Sequence, residues 1–163
     1  HLSESDAVGS SCGGKAPHPR LVILPDVNVL VYAFREASPG HAQYRDWLRA
    51  RVASPEAFGL SDLVLSGVMR ILTHPSVFSP PTPTDAALEF VDALRSQPNA
   101  VLIAPGPRHW EIFSQLCTSA RAKGNLIPDA WHAALAIEHG CEWITTDRDY
   151  ARFPALRWRH PLD

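Results

Sequence analysis

Four short apolar runs alternate with stretches of helical periodicity, and that alternation dictates most of what this chain can become. The runs occupy residues 21–24, 57–60, 100–104 and 141–145. Between them, Tyr44, Leu48 and Val52 recur at helical spacing, as do Val64, Leu65, Val68 and Leu72, then Ala87, Leu88, Val91 and Leu94. A further stripe runs through Trp110, Phe113, Leu116, Cys117 and Ala120. Short apolar runs suit buried strands, and stripes of 3.6-residue period suit helices laid on a sheet. Strands alternating with helices build a parallel sheet covered on its faces. The predicted class is therefore α/β, a three-layer α/β/α sandwich with a short, mostly parallel central sheet.

Local signals mark the element ends. Asn28 to Phe34 continues as a helix after the first strand, and Ser61 and Thr84 read as helix N-caps. Pro75 and the Pro80-Pro81-Thr82-Pro83 cluster end one helix in a stiff loop, and Gly124-Asn125 ends another. Pro128 in the first turn and Gly140 past the last bracket an alanine-rich helix from Asp129 to Ile137. Residues 1–20 are rich in Ser, Gly and Pro and carry no apolar core, so they read as a flexible leader, native or vector-derived, outside a single domain over 21–163.

Composition excludes several functions. With 15 Lys+Arg against 17 Asp+Glu the formal charge is −2, so binding of nucleic acid by bulk positive charge is disfavoured. No run approaches the 18 or so apolar residues of a membrane helix. Cys12, Cys117 and Cys141 form no CxxC pair; Cys117 and Cys141 lie in apolar stretches like buried thiols, which points to a reducing, cytoplasmic compartment. The tryptophans sit in no basic–aromatic pattern and are assigned to core and interface.

Acids gather where such a sheet places its chemistry, beyond the carboxyl ends of the strands. Asp26 follows the first strand; Asp147 and Asp149 follow the last; Asp129 opens the alanine-rich helix. From 126 to 149 the acids Asp129, Glu138, Glu142, Asp147 and Asp149 face one base, Arg148. Carboxylates held close repel unless a cation neutralises them, and oxygen donors without thiolate or histidine partners select Mg²⁺ or Mn²⁺. Such an ion activates water and stabilises the leaving oxygen of a phosphodiester. Each acid also has a structural reading: Asp129 suits the helix dipole, Asp147 a cap and Asp149 a turn. Asp26, directly after a buried strand, gains little structurally. His132 reads as a hydrogen-bonded or surface histidine.

Together these segments resemble a PIN domain, and specifically a VapC-type toxin ribonuclease of a toxin–antitoxin pair. The resemblance rests on Asp26-Val27-Asn28-Val29-Leu30-Val31-Tyr32-Ala33, on Pro128-Asp129-Ala130 with the helix to Gly140, and on Thr145-Thr146-Asp147-Arg148-Asp149-Tyr150 with Arg152-Phe153-Pro154. It implies RNA cleavage dependent on Mg²⁺ or Mn²⁺, a homodimer, and inhibition by a VapB-type antitoxin seated on the early helices. It also implies roles: Asp26, Asp129 and Asp147 as catalytic, metal-ligating acids with Asp149 beside them, supported by the Asn28 amide and the Thr145 hydroxyl. The family's remaining acid, a glutamate three residues before an arginine in the third helix, is missing. Arg70 is present, but Gly67 stands at that position, and Asp62, five residues earlier, falls on another face. RNA would be guided by arginines, since all bases but Lys15 and Lys123 are arginine.

Three other readings compete. A haloacid-dehalogenase-like phosphatase needs an acid where Asn28 stands, and a receiver domain needs paired early acids and a late lysine. A degenerate PIN domain, binding protein or RNA without cleaving it, is the rival that Gly67 motivates.

Overall fold

The computed structural model describes residues 21–163, so the expected leader over 1–20, with Cys12, lies outside the described residues. In chain order the elements are β1 (Ile23–Pro25), α1 (Val27–Phe34), α2 (His41–Ala53), β2 (Phe58–Leu60), α3 (Asp62–Leu72), α4 (Thr84–Arg95) and β3 (Ala100–Leu102). Then follow α5 (His109–Ser119), α6 (Leu126–His139), β4 (Glu142–Ile144), a 3₁₀ helix (Arg148–Arg152) and β5 (Trp158–Arg159). All five strands are parallel, in the order β3-β2-β1-β4-β5. The chain winds outward from β1 to β3, then returns to lay β4 on the other flank of β1. Right-handed crossovers put helices of opposite winding on opposite faces. In keeping with this, α1 packs on α2 and α3, α3 on α4, and α5 on α6.

Why these segments take these forms is mostly local. Nearly all of α1 is apolar, and Val29, Leu30, Val31 and Ala33 are buried in the core. Ser61 caps α3 by accepting the Val64 N–H at 3.5 Å, as predicted, and Gly140 ends α6 at φ +64°. The core gathers on Leu24, Phe58, Trp143, Tyr150 and Phe153, all essentially inaccessible to solvent.

Some boundaries differ from expectation. Thr84 is the first residue of α4 rather than its cap; Pro83 precedes it without a side-chain bond. Helix α5 ends at Ser119, before Gly124-Asn125, because Arg121 turns left-handed (φ +50°) and Ala122 N–H bonds Cys117 O. Its inward face also differs: His109 and Ile112 are buried, whereas Trp110 is 67% exposed. Helix α6 begins at Leu126, so Pro128 lies within its first turn. Cys141 is buried as expected, Cys117 only partly. Strand β5 has no apolar run to announce it. It forms because Trp143 and Thr145 donate to Arg157 O and Arg159 O along the open edge of β4.

Candidate active site

The sheet reverses its winding between β1 and β4, and in open α/β sheets ligands bind beyond the carboxyl ends at such a switch point. β1 and β4 run in register, with Leu24 opposite Trp143 and Pro25 opposite Ile144. Asp26 and Thr145, the next residues of each strand, therefore leave the sheet side by side. The Thr145 hydroxyl donates to Asp26 Oδ2 at 2.7 Å and accepts the Asp147 N–H at 3.0 Å. One buried hydroxyl thus ties the first acid to the backbone of the last.

Asp26 is also the N-cap of α1, its Oδ1 accepting the Val27 N–H at 2.7 Å, so it has the structural role that its sequence position did not suggest. Burial raises its carboxyl from 3.8 to about 6. The bonds from Thr145 and Val27 oppose that shift, and the nearby Asp129 and Asp147 charges add to it. Asp129, in the first turn of α6, is raised as well, first by burial and then by Asp147 and Asp149. The Tyr150 hydroxyl donates to its Oδ1 at 3.2 Å and works against the rise. Asp147 caps the 3₁₀ helix, as its alternative reading held, by accepting the Asp149 N–H at 2.9 Å.

Asp26, Asp129 and Asp147 thus feel one another's charge. Yet among the described residues no group of three or more His, Cys, Asp or Glu side chains closes tightly enough to hold a metal ion by itself. The donor set still fits a hard divalent cation. Mg²⁺ keeps several waters and takes only one or two carboxylates besides substrate phosphate, so an open, all-oxygen arrangement is what it requires. The carboxyls are raised first by burial and then by one another's charge, and a bound cation would offset the second of these.

Other expected members stand apart. Asn28 is exposed, and among the described residues no hydrogen bond joins it to Asp26; both carboxylate oxygens are met by Val27 N–H and Thr145 instead. Asp149 is exposed at the rim. The local excess of acid is smaller than the sequence implies, because Glu142 pairs with Arg159 at 3.1 Å and Glu138 serves the fold. Glu138 accepts the N–H groups of Gly106 and Arg108 at 2.7 and 2.9 Å, pinning the β3–α5 loop to α6. Asp62 is exposed at the start of α3, paired with Arg95. At Gly67 a Cβ would lie 2.8 Å from Val27 Cγ2, so α3 approaches α1 where only a glycine fits undisturbed.

His132 is neither on the surface nor hydrogen-bonded at Nδ1; it is buried, stacked on Trp143 with centroids 5.2 Å apart. Burial, and then the nearby His109, lower its imidazole from 6.5 to about 4. A folded value below the unfolded one gives stability that is complete above pH 6.5 and lost as pH falls toward 4. His132→Phe, which keeps the stack and removes the titration, is expected to gain about 2 kcal/mol more stability at pH 5 than at pH 7.5 in urea unfolding. An equal effect at both pH values would show that His132 does not titrate on unfolding.

Tyr150 is the one member of the site that sequence reasoning missed. It stood inside the acidic segment, but nothing in the spacing told whether its hydroxyl faces solvent or acids.

Comparisons with known proteins bear on the family and the fold. The sequence profile of the PIN domain matches residues 23–156. A VapC ribonuclease of Mycobacterium bovis is 48% identical over 142 residues, covering 87% of this chain and 97% of that one. Ribonuclease VapC25 of Mycobacterium tuberculosis is 39% identical over 140 residues, covering 86% and 99%. Among solved structures, VapBC-1 of nontypeable Haemophilus influenzae superposes with a TM-score of 0.64 at 13% identity over 88% of this chain and all of that one. VapBC2 of Rickettsia felis, bound to a DNA fragment from its promoter, gives 0.63 at 17% identity over 86% and 98%.

Proposed function

The chain belongs to the PIN domain family, and on that footing we propose that it is an endoribonuclease, the toxin of a type II toxin–antitoxin pair, hydrolysing RNA phosphodiester bonds with Mg²⁺ or Mn²⁺. Its identity to VapC ribonucleases over almost their whole length supports the activity. The observation that carries the chemistry is Asp26, held at both oxygens and set beside Asp129 and Asp147 at the switch point.

In this reading Asp26, Asp129 and Asp147 would hold the cation, with Asp149 at its edge. The bound ion would lower the pKa of a water and offset charge on the phosphate and leaving oxygen. The protein's own part is to keep the acids ionised and aimed. Thr145 donates to Asp26 and orders the Asp147 backbone, so both acids keep their places as the charge between them changes. In the metal-free protein Asp26 ionises above about pH 6, and a bound cation would hold it charged to lower pH. Arg148, exposed between Asp147 and Asp149, would be one of the arginines that meet an RNA phosphate.

The remaining expectations belong to the same reading. The domain spans 21–163, with 1–20 outside it, and works in the cytoplasm; among the described residues no helix is long and apolar enough to cross a membrane. The chain forms a homodimer. A VapB-type antitoxin covers the early helices, where Phe34, His41, Arg45, Leu48 and Phe90 line a groove of about 320 Å³ between α1, α2 and α4.

Purified protein incubated with total RNA is expected to cleave in Mg²⁺ or Mn²⁺, to stop when EDTA is added, and to resume when either ion is restored in excess. Cleavage indifferent to chelator contradicts the metal-dependent mechanism. No cleavage with either ion on any RNA would leave the non-catalytic binding module, the reading that the packing of Gly67 on Val27 favours.

A further inference from the structure

Besides the aspartates, a phenol reaches the interior of the site: the Tyr150 hydroxyl meets Asp129. Tyr150 is 1% exposed, with its ring locked between Trp143 and Phe153 at centroid distances of 5.5 and 6.1 Å. That packing fixes where the ring carries its hydroxyl. Oη meets Asp129 Oδ1 at 3.2 Å. The hydroxyl is therefore a buried donor fixed on Asp129.

We propose that Tyr150 is a positioning residue for the cation site, its hydroxyl binding one oxygen of Asp129 and leaving the other for the divalent ion. The inference rests on the metal-dependent reading above. A charged Asp129 held by a buried donor is already aimed before the ion arrives, so less order must be imposed on binding. Thr145 plays the matching part for Asp26, so the segment from β4 to the 3₁₀ helix orients two acids that lie on other elements.

The test is Tyr150→Phe, which deletes the hydroxyl and keeps the ring. Mn²⁺ binding to the full chain, followed by electron paramagnetic resonance of the free ion, is expected to weaken about tenfold, the usual effect of losing a group that orients a ligand. The Mg²⁺ concentration for half-maximal RNA cleavage should rise by a similar factor, with the rate at saturating Mg²⁺ little changed. In an Asp129→Asn background the same substitution should have no further effect on Mn²⁺ affinity, because the bond it removes is already altered. Equal Mn²⁺ affinity in Tyr150→Phe and its parent overturns this inference and leaves the nuclease reading standing. So does a tenfold loss that persists undiminished in the Asp129→Asn background, which would mark a general disturbance of packing. A parent protein that binds no Mn²⁺ overturns both.

Discussion

Asp26→Asn is expected to lower RNA cleavage at least about 100-fold while raising the melting temperature of the metal-free protein. The loss follows from removing a charged ligand, which costs no less than the 10- to 100-fold typical of the groups that merely orient one. The gain follows from the same charge. The Asp26 carboxyl rises from 3.8 to about 6 on folding, chiefly through burial. A raised acid is a destabilising one: the penalty is absent below pH 4, grows between pH 4 and 6, and is complete above. At about 1.4 kcal/mol per unit the full penalty is about 3 kcal/mol. Asparagine still accepts the Val27 N–H through its one oxygen, but its NH₂ cannot accept from Thr145, so that bond reverses or is lost and the net gain expected at pH 7 is about 1–2 kcal/mol.

For a domain of this size that corresponds to roughly 3–6 °C. The difference between variant and parent should close as pH falls from 6 to 4. Saturating Mn²⁺ should raise the melting temperature of the parent, since a ligand of the native state stabilises by mass action, and should do so much less for the variant. Calorimetry at pH 4.5 and 7, with and without Mn²⁺, checks all three statements. A melting temperature that drops at pH 7, or a variant that still cleaves, would place the working carboxylates elsewhere.

Restoring the acid that relatives of this fold use, by Gly67→Glu, is expected to damage the protein rather than improve it. The new Cβ would stand 2.8 Å from Val27 Cγ2. Valine has a single stiff rotamer in a helix and cannot swing away, so the backbone of α1 or α3 must move. Overpacking of this kind costs about 1–3 kcal/mol, offset by up to about 1 kcal/mol from replacing a helical glycine. The displacement reaches the chemistry because Val27 N–H is bonded to Asp26 Oδ1. A shift on the order of 1 Å in a catalytic group lowers rates on the order of 100-fold. Gly67→Glu alone should therefore melt lower and cleave more slowly, without binding Mn²⁺ more tightly. The pair Gly67→Glu with Val27→Ala should recover stability beyond the sum of its parts, since the two positions touch. Tighter Mn²⁺ binding and an unchanged melting temperature in the single variant would show that α3 has room for the acid after all.

What was legible in the chain was written locally. An apolar run followed by Asp26, a serine that accepts the N–H three residues on, and a glycine that turns left-handed after α6 all act within a few residues. The positions of Asp26, Asp129 and Asp147 at strand ends and a helix start were readable for the same reason. The paired edge strand β5, the exposure of Trp110 and the burial of His132 were not, because each depends on what another segment places beside it.

Sequence by itself determined the alternation of strand and helix, and with it a parallel sheet whose carboxyl edge carries acids. Periodicity and turn chemistry decide those things over distances of one or two turns. Tertiary structure alone decided which acids come together. Glu138 and Glu142 were drawn off to a loop and an arginine, Asn28 was left in solvent, and Gly67 was closed against Val27. It also brought the Tyr150 hydroxyl to Asp129, 21 residues away along the chain. Burial and electrostatic coupling arise between segments that the sheet order makes neighbours, and no local pattern encodes that order.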